Sequence, residues 1–174
     1  MVIVITGPIA SGKSTVARAL HHELGAHDVA AAVIDLDTLE NMLTADGPQT
    51  DAVTWAFARR AAGRLASGFL ADGLGVVIAD GSYNRTTDRA AFEQHLGLDV
   101  RPVYVTLTVS LEEALRRAQA DPTRGVSQDP AFLGPYFAAA EAASGERPVT
   151  DIVIDSESAS PAAIAAEIAR AAFP

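Results

Sequence analysis

The sequence predicts a three-layer α/β fold, in which one parallel β-sheet is covered by helices on both faces. Short apolar runs alternate with helical stretches along the chain, in the order β-α-β-α-β-α-β-α-β. Most of these runs are apolar at every position, as expected for strands with no face in contact with water. At 174 residues the chain has room for a sizeable core, and we expect residues 1–174 to form one domain.

Five strands are predicted from the apolar runs and the turn residues that bound them. The first is "VIVIT", directly after the initiating methionine, and the third, "GVVIA", precedes an acidic residue. The expected ranges are Val2–Thr6, Ala31–Ile34, Gly75–Ala79, Pro102–Val109 and Asp151–Ile154.

The helices between the strands have recognisable ends. The first is expected to start near Lys13 and to stop at Gly25, a favoured residue just beyond a helix C-terminus. Two more are expected from Ala52 to Leu70 and from Thr87 to Leu96. The remaining starts are predicted from capping patterns, namely a capping box of Ser110 with Glu113 and the pairs Asp129-Pro130 and Ser160-Pro161.

Composition excludes several classes of function. The net charge of −9 argues against non-specific nucleic-acid binding, which needs a basic surface. Cysteine is absent, so disulfides and thiolate metal sites are excluded. The first apolar segment, "MVIVIT", is too short for a signal sequence or a membrane span. We therefore expect a cytoplasmic protein that binds neither nucleic acid nor membranes.

A glycine-rich segment lies between the first strand and the first helix. It matches the pattern G-x-x-x-x-G-K-[ST] of a phosphate-binding P-loop, in the strand–loop–helix context that this motif requires. Glycines let successive backbone N–H groups point at an anion, and the helix start adds partial positive charge. Lys13 is expected to reach the β- and γ-phosphates of a nucleotide, and Ser14 to coordinate Mg²⁺. The predicted nucleotide-binding residues are Gly7, Pro8, Ile9, Ala10, Ser11, Gly12, Lys13, Ser14 and Thr15.

Two aspartates follow the second predicted strand. Asp35 and Asp37 are two residues apart, so on an extended chain they point the same way, toward the crevice at the carboxyl end of the sheet. Two carboxylates beside a triphosphate favour a metal between them. We assign Asp35 to Mg²⁺ and Asp37 to catalysis, as the base that takes the proton of an acceptor hydroxyl. The alternative is that Asp37 caps a helix that begins at Thr38.

These motifs resemble a known group of enzymes. "GPIASGKST" followed by "IDLDTLE" is similar to shikimate, gluconate and adenylylsulfate kinases, and "WAFARRAAGRLASGFLADGLGVVIADGSY" resembles the chloramphenicol phosphotransferase type. The resemblance implies a P-loop kinase that uses ATP, with a five-stranded parallel sheet in the order 2-3-1-4-5. The chain departs from shikimate kinases at "ADGSYN" and from adenylylsulfate kinases at Thr38 and Leu39, so neither acceptor is carried over.

The resemblance also implies roles for residues outside the P-loop. Asp80 occupies the place of the Walker B acid that supports Mg²⁺, although an acidic residue before Gly81 also suits a plain turn. Residues of about 116–128 occupy the place of a lid, so Arg117 and Arg124 are expected to contact the phosphates during catalysis. Arg116 is instead expected to favour its helix C-terminus.

The acceptor pocket is the least determined part of the prediction. Trp55 and Arg59 lie on one face of a helix and suit a planar or anionic acceptor, although core packing of Trp55 explains them equally well. Ser82 and Tyr83 follow the third strand, as acceptor contacts or as an ordinary turn. The predicted function is transfer of the γ-phosphoryl group of ATP, with Mg²⁺, to a hydroxyl of a small molecule. The alternatives are a nucleoside or nucleotide kinase and a nucleotide-binding regulator that transfers nothing.

Overall fold

The protein is described by a computed structural model that covers residues 1–44, 51–143, 145 and 147–173. Its centre is one parallel sheet in the order β2-β3-β1-β4-β5, which confirms the predicted fold and strand order. Each strand end lies within one residue of its predicted position. The strands are β1 (Val2–Thr6), β2 (Ala31–Asp35), β3 (Val76–Asp80), β4 (Val103–Thr108) and β5 (Ile152–Asp155).

Helices connect the strands and cover the sheet. A 3-10 segment, Pro122–Gln128, follows the fifth helix and contains a kink at Gly125. In the described part of the chain, none of the helices is long and apolar enough to cross a membrane. The α-helices are α1 (Lys13–Ala26), α2 (Leu36–Asn41), α3 (Ala52–Ala71), α4 (Thr86–Glu93), α5 (Leu111–Gln119), α6 (Pro130–Ala142) and α7 (Pro161–Ala172).

Two helix ends differ from their predictions. α1 continues through Gly25, and Asp28 rather than a glycine takes the left-handed backbone conformation beyond it, with φ 59°. Asp tolerates this conformation better than most residues, so the glycine is not needed there. α4 ends at Glu93 instead of Leu96, because the chain tightens into turns in which the amide of His95 donates to the carbonyl of Phe92.

The capping box predicted for α5 is only half formed. The Ser110 hydroxyl accepts a hydrogen bond from the amide of Glu113, as predicted. The Glu113 carboxylate does not return the bond, because it pairs with two arginines of its own helix, and the Ser110 amide donates to Glu157 instead. The caps at Asp129 and Ser160 form as predicted.

Alternate residues of the central strand face two separate cores. Ile3 and Ile5 pack in the cluster that lies under α1 and α7, and Val2 and Val4 pack in the cluster under α3 and α4. All four side chains are fully buried. Burial on both faces explains the uniformly apolar sequence of β1. Because the strands are parallel, the carboxyl ends of β1, β2 and β3 lie at one edge of the sheet, where their polar loops meet.

Candidate active site

The P-loop leaves β1 at Gly7 and enters α1 at Gly12. Both glycines have positive φ, 147° and 89°, which side-chain-bearing residues rarely adopt. A Cβ atom at Gly7 would also lie 2.4 Å from the carbonyl oxygen of Leu107 on β4. The motif glycines are therefore required by backbone conformation, and the first also lets the loop pack against β4.

Lys13 lies at the first position of α1 and folds back over the loop. Its ammonium group donates to the carbonyl oxygens of Pro8 at 2.9 Å and Gly7 at 3.1 Å. Burial lowers the pKa of Lys13, whereas the negative charges of Asp37, Asp80 and Asp35 raise it. The structure thus brings the predicted lysine and all three predicted carboxylates within electrostatic reach of one another.

Asp80 and Asp35 end two neighbouring strands in register. The carboxylate of Asp80 is almost completely buried, and its Oδ1 atom has no hydrogen-bond partner among the described residues. Burial raises the pKa of Asp80 to about 6, although a hydrogen bond from Ser14 opposes the shift. A buried carboxylate oxygen without a partner is uncommon, and a ligand or cation at this position would satisfy it.

The donor set at this point fits Mg²⁺ bound largely through water and phosphate. In the described ranges, no group of three or more histidine or acidic side chains could hold a metal by itself. The Ser14 hydroxyl and the Asp80 carboxylate could supply direct contacts, with Asp35 on the adjacent strand. Mg²⁺ in nucleotide sites needs only one or two protein oxygens, because phosphates and water complete its shell.

Asp37 reaches the same crevice by a different route from the one predicted. Asp35 is the last residue of β2 and caps α2 by accepting from the amide of Thr38 at 3.1 Å, so Asp37 lies in the first helical turn and not on an extended chain. The alternative that Asp37 is the cap is therefore wrong. Asp37 is exposed, yet the surrounding protein partly desolvates it and raises its pKa, while the charge of Lys13 lowers it.

The arginines that were expected in the lid differ in how firmly they are held. Arg117 is fixed by hydrogen bonds to Glu113 Oε1, to both the hydroxyl and the carbonyl of Ser156, and to the carbonyl of Ala10. It therefore joins the P-loop to the loop after β5. Arg116 pairs with Glu113 on the exposed side of α5.

Arg124 has fewer contacts than Arg117, the other candidate catalytic arginine. It lies in the 3-10 segment, exposed, and is held by an ion pair with Asp121 at 3.2 Å. Its charge reaches both Lys13 and Asp37. The lid predicted for about 116–128 stays a prediction, and its first residues, up to Gln119, belong to α5.

The predicted acceptor residues make contacts within the protein, and their role toward an acceptor stays a prediction. Arg59 is buried, donates from Nε and Nη2 to the carbonyl oxygen of Ser82 at 3.0 and 2.8 Å, and pairs with Asp88 at 3.2 Å. Tyr83 is completely buried, and its hydroxyl has no partner among the described residues. Trp55 is half-buried beside Arg59. Arg59 thus fixes the loop after β3 through the Ser82 carbonyl, and Tyr83 anchors the same loop in the core.

Two cavities flank the P-loop. One of about 360 Å³ lies between the start of α1, α5 and the loop after β5, where Arg117 and Arg124 line it. The other, of about 950 Å³, lies between the ends of β1 and β4, the start of α4, and α6. Sequence reasoning missed the α6 and β4 residues of the larger cavity. The alternation of Tyr104, Thr106 and Thr108 in β4 was the available signal that one strand face is polar.

Comparison with known families agrees with this geometry. Residues 2–130, about three quarters of the chain, match the family model described as AAA domain. The chain belongs to the AAA domain family. No curated protein matches the sequence.

Solved structures with the same fold include several kinases. The APS kinase of Mycobacterium tuberculosis, in complex with AMPPNP and APS, is 23% identical with a TM-score of 0.71, over 99% of this chain and 97% of that one. The Deinococcus radiodurans tunicamycin resistance protein is 20% identical with a TM-score of 0.68, over 99% and 95%. A gluconokinase from Sinorhizobium meliloti is 25% identical with a TM-score of 0.61, over 98% and 88%. The resemblance of this AAA-domain protein to small-molecule P-loop kinases is thereby confirmed at the level of the fold.

Proposed function

We propose that this protein is an ATP-dependent phosphotransferase that moves the γ-phosphoryl group to a hydroxyl of a small molecule. The observation that carries the proposal is the cluster at Lys13. A P-loop lysine, three carboxylates and the charge of Arg124 converge on one crevice, at the carboxyl ends of β1, β2 and β3. Phosphoryl transfer needs positive charge on the γ-phosphate and an acceptor for the hydroxyl proton, and this cluster contains both.

The nucleotide is proposed to lie across the P-loop with its base in the 360 Å³ cavity. Apolar side chains of Ala159 and Pro161 line that cavity and would pack against a purine. Arg117 is already fixed against Ser156 at its edge. The triphosphate then extends over the loop toward Lys13, whose ammonium group has one further hydrogen-bond donor for a phosphate oxygen.

The transfer step is an in-line displacement at the γ-phosphorus. The acceptor oxygen forms a new P–O bond while the bond to the β–γ bridging oxygen breaks, and ADP leaves with that electron pair. Asp37 takes the hydroxyl proton, and the raised pKa of Asp37 suits this role. Lys13 and Arg124 stabilise the charge on the transferred group. Ser14 and Asp80 would hold Mg²⁺, which would supply neutralisation of part of the phosphate charge.

The exposure of Asp37 supports transfer over a purely regulatory role. A regulator that binds nucleotide without chemistry has no need for a free carboxylate facing the P-loop lysine. No ion pair between described residues involves Asp37, and the largest opposite charge acting on it is that of Lys13. The kinase names of the structural neighbours support the same choice.

A screen of ATP consumption over hydroxyl compounds tests the proposal. The panel contains sugar acids, nucleosides, nucleoside monophosphates and hydroxyl-bearing antibiotics, with phosphorylated product identified by mass. The control variants are Lys13→Ala and Arg18→Ala, which change a P-loop residue and an exposed residue of the same helix. We expect Lys13→Ala to lower turnover by roughly 10²–10³-fold or more and Arg18→Ala to leave it unchanged. Near-normal turnover in folded Lys13→Ala would contradict the kinase proposal, and a nucleoside as acceptor would favour the nucleoside-kinase alternative.

A further inference from the structure

The larger cavity lies on the opposite side of the P-loop from the proposed base site. Gly7 and Pro8 form its rim, and the carbonyl oxygens of these two residues are the groups that the Lys13 ammonium contacts. The cavity therefore borders the two backbone carbonyl groups that hold the Lys13 ammonium. The cavity volume of about 950 Å³ is within the range that holds metabolite-sized ligands.

The charge of the cavity is opposite to that of the protein. Among the described residues, the charged side chains that line it are three arginines and one glutamate, Arg85, Arg89, Arg147 and Glu141, whereas the whole chain carries a net charge of −9. Arg85 and Arg147 are exposed, and neither takes part in an ion pair between described residues. Unpaired arginines that converge on one cavity favour an anionic ligand, because guanidinium groups bind carboxylate and phosphate in a bidentate way.

Arg89 is the strongest single indication of an anion. Only 8% of this residue is exposed, yet no carboxylate of the described residues lies within ion-pair distance of it. Its Nε donates to the carbonyl of Tyr83 at 3.4 Å and its Nη1 to the carbonyl of Val149 at 2.5 Å, while the group stacks 3.7 Å from the Tyr104 ring centroid. Its Nη2 makes no hydrogen bond to the described residues. Buried charges are usually paired, so this one has capacity for an anionic partner.

The rest of the lining suits a polyhydroxylated molecule. Thr106 donates to the Thr150 hydroxyl at 3.0 Å, and Thr150 donates to the carbonyl of Tyr104 at 2.8 Å, so the Thr106 oxygen keeps both lone pairs for an incoming hydroxyl. Tyr136 and Phe137 of α6 form an aromatic wall. Hydroxyl acceptors on one side and aromatic surface on the other would bind a sugar-like carbon chain.

We infer that this cavity holds the phosphoryl acceptor and selects an anionic one, a hydroxyl compound that also carries a carboxylate or a phosphate group. Its anionic end pairs with Arg85, Arg89 and Arg147, and its reacting hydroxyl extends past the rim at Gly7 and Pro8 toward the crevice of Lys13 and Asp37. The inference rests on the proposed kinase function, because only a kinase would use the bound molecule as a phosphoryl acceptor. The anion site itself is argued from the cavity alone.

The test measures binding without turnover. The protein is saturated with Mg²⁺ and AMPPNP, so that the P-loop is filled, and titrated by calorimetry with four probes. Gluconate is compared with neutral sorbitol, and ribose 5-phosphate with neutral ribose, which separates carboxylate from phosphate recognition. We expect the anion of at least one pair to bind roughly tenfold or more tightly than its neutral partner.

Variants assign that preference to the cavity. Arg85→Gln combined with Arg147→Gln is expected to reduce the preference roughly tenfold, and Arg170→Gln, which changes an exposed arginine of α7, is expected to leave it intact. Equal binding within both pairs, no binding of either anion, or equal loss in the Arg170 control would overturn the inference. If the anion preference is present but the protein transfers phosphate to none of the hydroxyl compounds in the ATP-consumption screen, the kinase proposal fails and the anion site still holds.

Discussion

The charges of the phosphate crevice lack ion-pair partners among the described residues, whereas Arg59, which contacts the loop after β3, is paired. In the crevice, Asp80 keeps an unsatisfied oxygen, and the hydrogen bonds of the Lys13 ammonium to described residues go to backbone carbonyls. Behind that loop, Arg59 uses all three of its nitrogens on Ser82 and Asp88. An unpaired buried charge is unfavourable in the free protein, so the contrast separates groups that await a ligand from groups that hold the fold.

The largest effect is expected from the carboxylate that faces Lys13. Asp37→Asn keeps the side-chain shape and removes the proton acceptor, so kcat should fall by roughly 10²–10⁴-fold while Mg²⁺·ATP still binds. Asp35→Asn should instead shift the Mg²⁺ dependence, since an amide is a poorer ligand for this cation than a carboxylate. The measurement is kcat across a Mg²⁺ titration together with nucleotide calorimetry. Loss of nucleotide binding in Asp37→Asn but not in Asp35→Asn would reverse the two roles.

The bracing role of Arg59 predicts a loss of stability. Arg59→Gln removes two hydrogen bonds to Ser82 and leaves Asp88 without its ion-pair partner, so the free energy of unfolding should fall by about 2–4 kcal/mol. The matched control is Arg60→Gln, because Arg60 only stacks 4.4 Å from the Phe57 ring and should contribute less than about 1 kcal/mol. Denaturant unfolding compares the two. If Arg59→Gln left the stability unchanged and raised the KM for the acceptor, Arg59 would belong to the acceptor site instead.

Substitution of Asp80 is expected to increase the stability, whereas substitution of Arg59 is expected to decrease it. Its pKa is raised from 3.8 to about 6, so the folded state loses stability as the pH rises through that interval and remains less stable at pH 7. Asp80→Asn removes the buried charge and should increase the unfolding free energy at pH 7 in EDTA by about 1–3 kcal/mol. Added Mg²⁺·ADP should stabilise the wild type more than the variant. A variant less stable than the wild type in EDTA would show that Asp80 is satisfied in the free protein.

The smallest expected effect concerns Arg117 and Arg124, the two arginines that line the proposed nucleotide cavity. Arg124→Ala should lower kcat roughly tenfold with little change in stability, because its exposed pair with Asp121 contributes less than about 1 kcal/mol. Arg117→Ala should weaken nucleotide binding and lower the thermal stability, because Arg117 joins three segments. Steady-state kinetics and thermal unfolding distinguish them. Equal kcat in wild type and Arg124→Ala would remove Arg124 from the catalytic set.

Prediction from sequence succeeded best where function depends on backbone. The P-loop binds through N–H groups, its glycines are needed for positive φ, and the motif is contiguous, so its location and conformation follow from eight residues. The strands were predicted closely because burial on both faces leaves a direct mark on composition. The approach of Asp80 to the P-loop follows from the register between β1 and β3.

The side-chain sites were decided only by tertiary structure. Whether Arg59 faces a ligand or the loop behind it depends on the position of Ser82, 23 residues later, and the helical periodicity of α3 carries no information on that contact. Likewise, the cation-lined cavity combines residues of β1, α4, β4 and α6 that range in the sequence from Thr6 to Glu141. The sequence by itself determined the fold and the phosphate loop, because local backbone preferences and burial encode them. The faces on which its arginines and aromatic residues lie were set by packing between distant segments, which no short stretch of the chain specifies.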